Sequence, residues 1–392
     1  MTNYQIKDLI SEISMGPFGS NIKVDCFVDS GIPVLNGSNL DGFVLKEDEF
    51  RYVTEEKADS LGKANAHRRD VVITHRGTLG QIIFIPETSK YSRYVISQSQ
   101  FRVKCNERIL PEYLVYYFHT KIGQHKLLSN ASQVGVPALA RASTTFQQID
   151  IDIPNIEIQT KIISILESIR KKIQNNNEII GNLFEQGKSL YKSWFIDFSH
   201  FNNSMPEGSR LGKIADIIEL YDSKRVPLSS GEREKMEKIY PYYGATSLMD
   251  YVDDFIFEGI YLLLGEDGTV IDDKGFPILQ YVDGKFWVNN HAHILKGKSG
   301  FSVEELYLLF SLTNVKSIVT GAVQQKISQT NLKRVEVVIP PAKLLEEFDD
   351  LIQPMFCEIR NKRAENLKLS NIRDTLLPKL MSGEIDLTDI DI

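Results

Sequence analysis

The chain has 392 residues, of which 42% are hydrophobic and 25% are charged, and its formal net charge is −7. This ordinary globular composition leaves room for two or three domains, while the acidic balance argues weakly against a generic nucleic-acid binder. The three cysteines lack CxxC spacing, which indicates neither a disulfide framework nor a zinc site.

The N-terminal segment of the sequence has no apolar run and does not resemble a signal peptide. One of the longer apolar runs, Ile260–Leu264, is far shorter than the ~20 residues that cross a bilayer. We therefore expect a soluble, cytoplasmic protein without a membrane partner.

The first ~150 residues predict a mixed, strand-rich domain. Gly16-Pro-Phe-Gly19 and Asn36-Gly-Ser-Asn39 are typical of turns, and Pro111 is a favourable first-turn residue for a helix through Phe118. β-branched and aromatic residues predict strands at 71–74, 81–85, 100–103 and 149–153.

A long helix is predicted from Pro154 to Phe198, on the order of 60 Å in length. Alternate steps of four and three residues form an apolar heptad seam, and such a seam needs a partner helix. The seam residues are Ile162, Leu166, Ile169, Ile173, Asn176, Ile180, Leu183, Gly187, Leu190 and Trp194.

After a linker at residues 199–208, the order of elements predicted for the first domain is repeated. Residues 260–264 predict a strand, and Asp283-Gly284 predicts a hairpin between 278–282 and 285–288. Ser302-Val-Glu-Glu305 is a capping box that predicts a helix through Phe310, and 335–339 predicts a last strand.

A second long helix is predicted from Pro340 to Met381, with its seam at Phe348, Ile352, Met355, Ile359, Leu369, Leu376 and Leu380. Pro354 removes a backbone donor, so we expect a kink or break near Gln353, with the helix resuming from Met355 to Leu377. Pro378 and then Ser382-Gly383 are expected to close this helix.

Five landmarks recur in the same order in both halves of the chain. They are Gly37 and Gly244, Gly77 and Gly268, Tyr113 and Tyr307, Gly135 and Gly321, and Pro154 and Pro340. The prediction is an α+β protein with two similar mixed α/β domains and two long helices packed as an antiparallel coiled coil, related by a pseudo-twofold internal repeat. The predicted divisions are 1–153, 154–204, 205–339 and 340–392. Periodicity alone leaves a buried helical hairpin as the alternative for the long helices.

Three common catalytic or cofactor-binding motifs are absent from the sequence. A phosphate-binding Gly-x4-Gly-Lys-Ser/Thr loop, an Asn/Asp-Pro-Pro-aromatic run and a glycine-rich cofactor fingerprint are all absent from it. Asp152, Glu266 and Asp267 have no companion His or Lys at a convincing spacing, so we interpret such carboxylates as turn residues and not as catalysts.

Five stretches of the sequence belong together as a set of motifs. They are Gly16-Pro-Phe-Gly-Ser20, Asp70-Val-Val-Ile-Thr-His-Arg-Gly-Thr-Leu-Gly80, Ser97-Gln-Ser-Gln-Phe101, Ile153-Pro-Asn-Ile-Glu-Ile-Gln-Thr-Lys-Ile162 and Ile372-Arg-Asp-Thr-Leu-Leu-Pro-Lys-Leu-Met-Ser-Gly-Glu-Ile385. With them the chain resembles the specificity subunit of type I restriction-modification systems, over essentially its whole length. The second half departs from the pattern with Gly265-Glu-Asp-Gly268 and Leu344-Leu-Glu-Glu347.

The resemblance implies a non-catalytic DNA reader whose two domains each recognise one half of a bipartite, asymmetric target. Two methyltransferase subunits would dock on the helices and methylate adenine, with the base flipped from the duplex. Restriction subunits would join the larger assembly. No cofactor is expected in this chain, because S-adenosylmethionine would belong to the methyltransferase, and ATP and Mg to the restriction partner.

Polar residues next to glycine turns are the candidates for DNA contact, because Arg, Lys, Asn and Gln read base edges and small polar groups bind phosphates. The candidates are Ser20, Asn36, Ser38, Arg76, Thr78, Gln98, Gln100, Arg141, Lys224, Tyr243, Thr246, Asn289, Asn290, His291, Gln325 and Lys326. His291 and His293 alternate in a strand pattern, so one is expected to face inward. Trp194 and Phe195 are expected to pack on the helices or to dock a methyltransferase.

Two other classes of function remain open from the residues. One is a tandem-domain adaptor that binds protein or carbohydrate, and the other is a self-sufficient enzyme with an active site between the two copies. Two hypotheses accompany the DNA-reading interpretation: partner subunits supply much of the phosphate neutralisation, and the long helices set the spacing between the two half-sites.

Overall fold

The computed structural model of this chain describes residues 1–132, 135–321, 323–388 and 390, and for Ser20 the backbone only. The chain forms two compact units. Unit 1 contains Met1–Ile173 and Lys368–Ile392, and unit 2 contains Gln174–Leu367. Both long helices therefore pass from one unit into the other, whereas the predicted domain boundaries lie at the helix ends.

Unit 1 combines two four-stranded sheets with short helices. Its strands are β1 (Thr2–Gln5), β2 (Ile10–Met15), β3 (Ile32–Val34), β4 (Arg51–Val53), β5 (Asn65–His67), β6 (Asp70–Thr74), β7 (Ile82–Phe84), β8 (Arg93–Val95), β9 (Gln100–Cys105), β10 (Ala131–Ser132), β11 (Ala138–Leu139) and β12 (Asp150–Ile153). Its short helices are α1 (Glu55–Ser60), α2 (Pro111–His119), α3 (Lys121–Leu128) and α4 (Ala142–Gln147), with 3₁₀ turns at Ile6–Asp8, Gly19–Asn21, Val24–Cys26, Gly37–Leu40 and Gly62–Ala64.

Strand β6 of unit 1 is covered on both faces. The first sheet has the antiparallel order β2-β9-β6-β7, and the second has the order β4-β3-β8-β5 with β3 and β8 parallel. Every residue of β6 is buried, because Val71 and Ile73 face the core containing α2 while Val72 faces the second sheet. An apolar run without alternation is expected for a strand covered on both faces.

Unit 2 repeats this architecture. Its strands are β13 (Arg210–Lys213), β14 (Ile218–Leu220), β15 (Tyr240–Tyr243), β16 (Leu248–Val252), β17 (Phe257–Glu258), β18 (Tyr261–Gly265), β19 (Leu279–Val282), β20 (Lys285–Val288), β21 (Ala292–Gly297) and β22 (Glu336–Ile339). Its short helices are α6 (Ile214–Ile217), α7 (Ser230–Arg233), α8 (Val303–Leu312) and α9 (Gln329–Lys333), with 3₁₀ turns at Ser199–Phe201, Asp222–Lys224 and Lys316–Ile318.

The sheets of unit 2 have the orders β14-β21-β18-β19 and β16-β15-β20-β17, so each strand has a counterpart in unit 1. A further antiparallel pair, β1 with β12 in unit 1, recurs as β13 with β22. The predicted internal repeat and the α+β class are confirmed. The capping box at Ser302 is also confirmed, since its hydroxyl accepts from the Glu305 backbone N–H at 3.1 Å.

The predicted hairpin across Asp283-Gly284 is wrong. β19 pairs with β18, whereas β20 pairs with β17 and β15 in the other sheet. The two-residue connection is short, but the burial of Tyr281 in one core and of Phe286 in the other separates the strands. Packing between sheets therefore overrides the local turn signal.

The two long helices are α5 (Ile156–Phe195) and α10 (Ala342–Ser382). Within unit 2, Trp194 packs against Phe348 with ring centroids 5.4 Å apart, and the Asn176 amide donates to Asn366 Oδ1 at 2.8 Å. These contacts define an antiparallel pair and confirm the seam of α5. Trp194 and Phe195 are buried. This agrees with the expectation that they pack on the helices.

The predicted break near Gln353 is wrong, because α10 continues through Pro354, and a kink there stays a prediction. The helix also continues through Pro378, which was expected to help close it. Pro354 lies on the exposed side of the helix, and so does Asp350, whose carbonyl loses its intrahelical donor but remains open to water. Burial of Ile352 and Phe356 on the opposite side holds the helix together. The observed seam of α10 differs from the predicted seam by one residue at two places. Phe356 and Leu377 are buried there instead of Met355 and Leu376.

No helix in the described part of the chain is long and apolar enough to cross a membrane.

Candidate nucleic-acid interface

In unit 1, three chain segments meet beyond the C-terminal end of β6. The backbone N–H of His75 donates to the Ser99 carbonyl at 2.8 Å, and that of Gly77 donates to the Pro137 carbonyl at 2.9 Å. Arg76 forms an isolated β-bridge with Ala138, and Gly77 has a φ of +90°, which favours glycine. The loop after β6, the turn before β9 and the segment before β11 therefore form one continuous edge.

Four predicted residues of unit 1 are exposed at or near this edge, namely Arg76, Thr78, Gln98 and Arg141. Among the described residues, no side-chain hydrogen bond or ion pair occupies any of them. The Gln98 amide lies over Gly19. A Cβ added to Gly19 would come within 2.2 Å of Gln98 Oε1. Arg141 adopts a left-handed backbone with φ of +48° immediately before α4.

Other predicted residues of unit 1 have local structural roles. Gln100 is fully buried, its Oε1 accepts from the Ser97 N–H at 2.9 Å and its Nε2 donates to the Asn36 carbonyl, so it is not available to a base edge. The exposed Asn36 side chain caps a 3₁₀ turn by accepting from Ser38. The side chain of Ser20 lies outside the described residues.

Unit 2 builds the same edge from different side chains. The Glu266 N–H donates to the His291 carbonyl and the Gly268 N–H to the Gln325 carbonyl, each at 2.9 Å. Asp267 forms an isolated β-bridge with Lys326, and Gly268 has a φ of +95°. The predicted residues His291, Gln325 and Lys326 are thereby brought together and are exposed.

Behind this edge lies a buried network of charged side chains that the sequence analysis missed. His293 Nδ1 lies 2.6 Å from Asp222 Oδ2, Arg225 contacts Glu266 at 2.6 Å, and Lys326 contacts Glu266 at 3.2 Å. No companion His or Lys stands at a convincing sequence spacing from Glu266 or Asp267, yet the fold pairs Glu266 with Lys326 and brings His291 to 2.5 Å from Asp267. These partners come from segments far apart in sequence, so no local spacing signalled them.

The network holds its carboxylates in the charged form. Burial by itself raises the pKa of Asp222, but His293, the Ile294 backbone N–H and Arg225 together outweigh it and leave this pKa below its ordinary value. Burial likewise raises the pKa of Glu266, and the contacts with Arg225, His293 and Lys326 lower it overall. The network therefore fixes the Glu266 carboxylate, and the ion pair with Glu266 positions Lys326 at the edge.

Asp222, Glu266 and His293 place ligand-type atoms within 4.8 Å of one another. His293 nevertheless has both ring nitrogens engaged, with Nε2 only 2.7 Å from the Ile327 carbonyl. Arg225 and Lys326 already neutralise Glu266. The geometry therefore fits an ion-pair network better than a cation site.

The remaining predicted residues of unit 2 divide into two groups. Lys224, Thr246 and Asn290 are exposed, and Lys224 Nζ lies 5.1 Å from the ring centre of Tyr221. Asn289 is buried and its Oδ1 accepts from the His291 N–H at 2.8 Å, so it positions His291 and does not face solvent. Tyr243 is half-buried against Phe286. The expectation that one of the two histidines faces inward is confirmed by the buried His293.

Comparison with known proteins places these observations in a family. The family model described as the type I restriction modification DNA specificity domain matches residues 6–183 and 206–355. The chain is 24% identical to the type I restriction enzyme MjaIX specificity subunit of Methanocaldococcus jannaschii, covering 98% of this chain and 94% of that protein. It is 21% identical to the HindI specificity subunit of Haemophilus influenzae, covering 78% of this chain and 84% of that protein.

The fold is similar to the crystal structure of a type I restriction-modification S subunit from M. genitalium, with a TM-score of 0.56. That match covers 97% of this chain and 95% of that chain at 16% identity, and it supports the fold alone.

Proposed function

The chain belongs to the type I restriction modification DNA specificity family, and on this premise we propose that each of its two units reads one half of a bipartite, asymmetric DNA target. The observation that carries this proposal is the repeated edge. Both units build it from the same strand order and the same backbone hydrogen bonds, yet they present different polar side chains on it. Two copies of one scaffold with different reading residues are what an asymmetric target requires.

The exposed side chains have the chemistry for this task. In unit 1, Arg76, Gln98 and Arg141 offer guanidinium and amide groups, which hydrogen-bond guanine and adenine edges in the major groove. In unit 2, Lys224 and Lys326 offer ammonium groups for phosphates or guanine. Thr78 and Thr246 are small exposed hydroxyls suited to phosphate contact.

We further propose that this chain is non-catalytic and that two methyltransferase subunits methylate adenine in the half-sites with S-adenosylmethionine. Restriction subunits that use ATP and Mg would join the larger assembly. Support comes from the relatives of this chain that are named specificity subunits of the type I restriction enzymes MjaIX and HindI.

The decisive experiment is a map of methylated adenines in a host carrying this chain and its neighbouring methyltransferase, with and without an in-frame deletion of the chain. Methylation should disappear from one bipartite motif and from no other. Arg76→Ala should reduce methylation of that motif, whereas Lys104→Ala, which removes the same charge at the far end of β9, should not.

A deletion that changes no motif while the methyltransferase is expressed would contradict the proposal. A purification of the tagged chain that recovers other proteins but no methyltransferase would favour the tandem-domain adaptor instead.

A further inference from the structure

One position of the repeated edge carries opposite charges in the two units. Arg76 follows β6 and Asp267 follows β18, and each stands immediately before a glycine with positive φ. Each also forms the isolated β-bridge to the neighbouring segment, Arg76 with Ala138 and Asp267 with Lys326. The two side chains therefore start from equivalent backbone positions.

One contact with His291 orients the Asp267 carboxylate and leaves its second oxygen available. His291 Nδ1 lies 2.5 Å from Asp267 Oδ1, while Asp267 Oδ2 and His291 Nε2 have no hydrogen-bond partner among the described residues. The Asp267 side chain is 21% exposed and that of His291 is 46% exposed. The pair thus presents an oriented carboxylate oxygen at the edge, beside the half-exposed ammonium of Lys326.

A carboxylate is unfavourable beside DNA phosphates unless it meets a hydrogen-bond donor. In the major groove, the donors are the exocyclic amino groups N4 of cytosine and N6 of adenine, whereas guanine presents two acceptors, O6 and N7. Arginine has the opposite preference, because its guanidinium donates to both of those guanine atoms. Arg76 in unit 1 and Asp267 in unit 2 therefore give the same position of the edge opposite hydrogen-bonding preferences.

We propose that Asp267 is a specificity-determining residue that accepts a hydrogen bond from the exocyclic amino group of a cytosine or adenine in the second half-site, and that Arg76 reads a guanine from the equivalent position in the first. His291 is a positioning residue that orients the carboxylate. This inference rests on the proposed function and deepens it, because it names the base chemistry that each unit selects.

The test uses the complex of this chain with its methyltransferase subunits and duplexes of the motif found by the methylation map. In the half-site read by unit 2, each cytosine is replaced in turn by pyrimidin-2-one, and each adenine other than the methylated one by purine, so that only the amino group is removed. The readout is the ratio of affinities for intact and substituted duplexes. A ratio is needed because removing a carboxylate also strengthens non-specific binding to DNA.

The wild-type complex should lose roughly 5- to 100-fold in affinity at one substituted base. In Asp267→Ala, the ratio at that base should fall to about one, with the other positions unchanged. His291→Ala should reduce the same ratio only in part. Asp283→Ala removes an exposed carboxylate from the turn after β19, which lies beside the start of β18 and away from the edge, and should keep the wild-type pattern.

An Asp267→Ala complex that keeps the wild-type ratio at every position would overturn the inference while leaving the proposed function intact. A complex that binds no bipartite duplex specifically would instead overturn the proposed function, and the inference with it.

Discussion

Glu305 in α8 supports a quantitative prediction about the stability of unit 2. Its side chain is fully buried, its Oε2 accepts from the Ser302 N–H at 2.7 Å, and its Oε1 has no partner among the described residues. Burial, reinforced by the neighbouring carboxylates of Asp349 and Glu304, raises the pKa of Glu305 to about 8. The carboxyl group is therefore protonated in the folded protein at neutral pH.

The sign of the pH dependence follows from proton binding. The folded state keeps a proton that the unfolded state releases above about pH 4.5, so the contribution of Glu305 is greatest in acid and is lost progressively as the pH rises to about 8. Each pH unit within this window lowers the free energy of unfolding by about 1.4 kcal/mol. Between pH 4.5 and 7 the loss amounts to about 3 kcal/mol. Glu305→Gln has no proton to release and should abolish it, while a glutamine still suits the capping box.

Tryptophan fluorescence during urea unfolding provides the assay, because Trp194 and Trp287 both belong to unit 2 and report on its unfolding. The unfolding midpoint of Glu305→Gln should exceed that of the wild type by a margin that widens from pH 5 to pH 8. Glu258→Gln is the matched control, because Glu258 is an exposed glutamate of unit 2 and is not among the groups that shift the pKa of Glu305. This change should leave the pH slope of the wild type unaltered. An unchanged pH slope in Glu305→Gln would refute the reasoning.

Three further predictions follow from the helices and the charge of the chain. Asn176→Ala removes the buried hydrogen bond to Asn366 and should lower the free energy of unfolding by about 1–3 kcal/mol, whereas Asn182→Ala at an exposed site should have little effect, as urea unfolding would show. Seven residues inserted after Ile173 and after Lys368 preserve the heptad phase and add about 10 Å to each helix. The methylated motif should then gain about three base pairs of spacer, and an unchanged spacer would contradict the spacing hypothesis. The isolated chain, with its net charge of −7, should bind its target weakly in salt titrations, whereas tight binding with a steep salt slope would exclude neutralisation by partners.

Glu266 and Asp267 illustrate the limit of sequence reasoning at the site. The glycine turn after them was visible in the sequence, and the loop after β18 is where the repeat predicted it. Their partners were not visible, because Arg225 is brought to Glu266 from 41 residues away and His291 to Asp267 from 24. A turn signal is local, whereas an ion pair between strands depends on the register of a sheet. The same reason explains why the buried Gln100 was indistinguishable in sequence from the exposed Gln98.

The sequence by itself determined the elements whose causes lie within one turn of helix or one strand. The seam of α5, the capping box at Ser302 and the repeated glycine turns are of this kind, because spacing and side-chain chemistry act over a few residues. Only the tertiary structure decided that α10 continues through Pro354 and that β19 and β20 separate into different sheets. In both cases the burial of apolar side chains against distant segments outweighs a local preference, and that free energy exists only once the whole unit has folded.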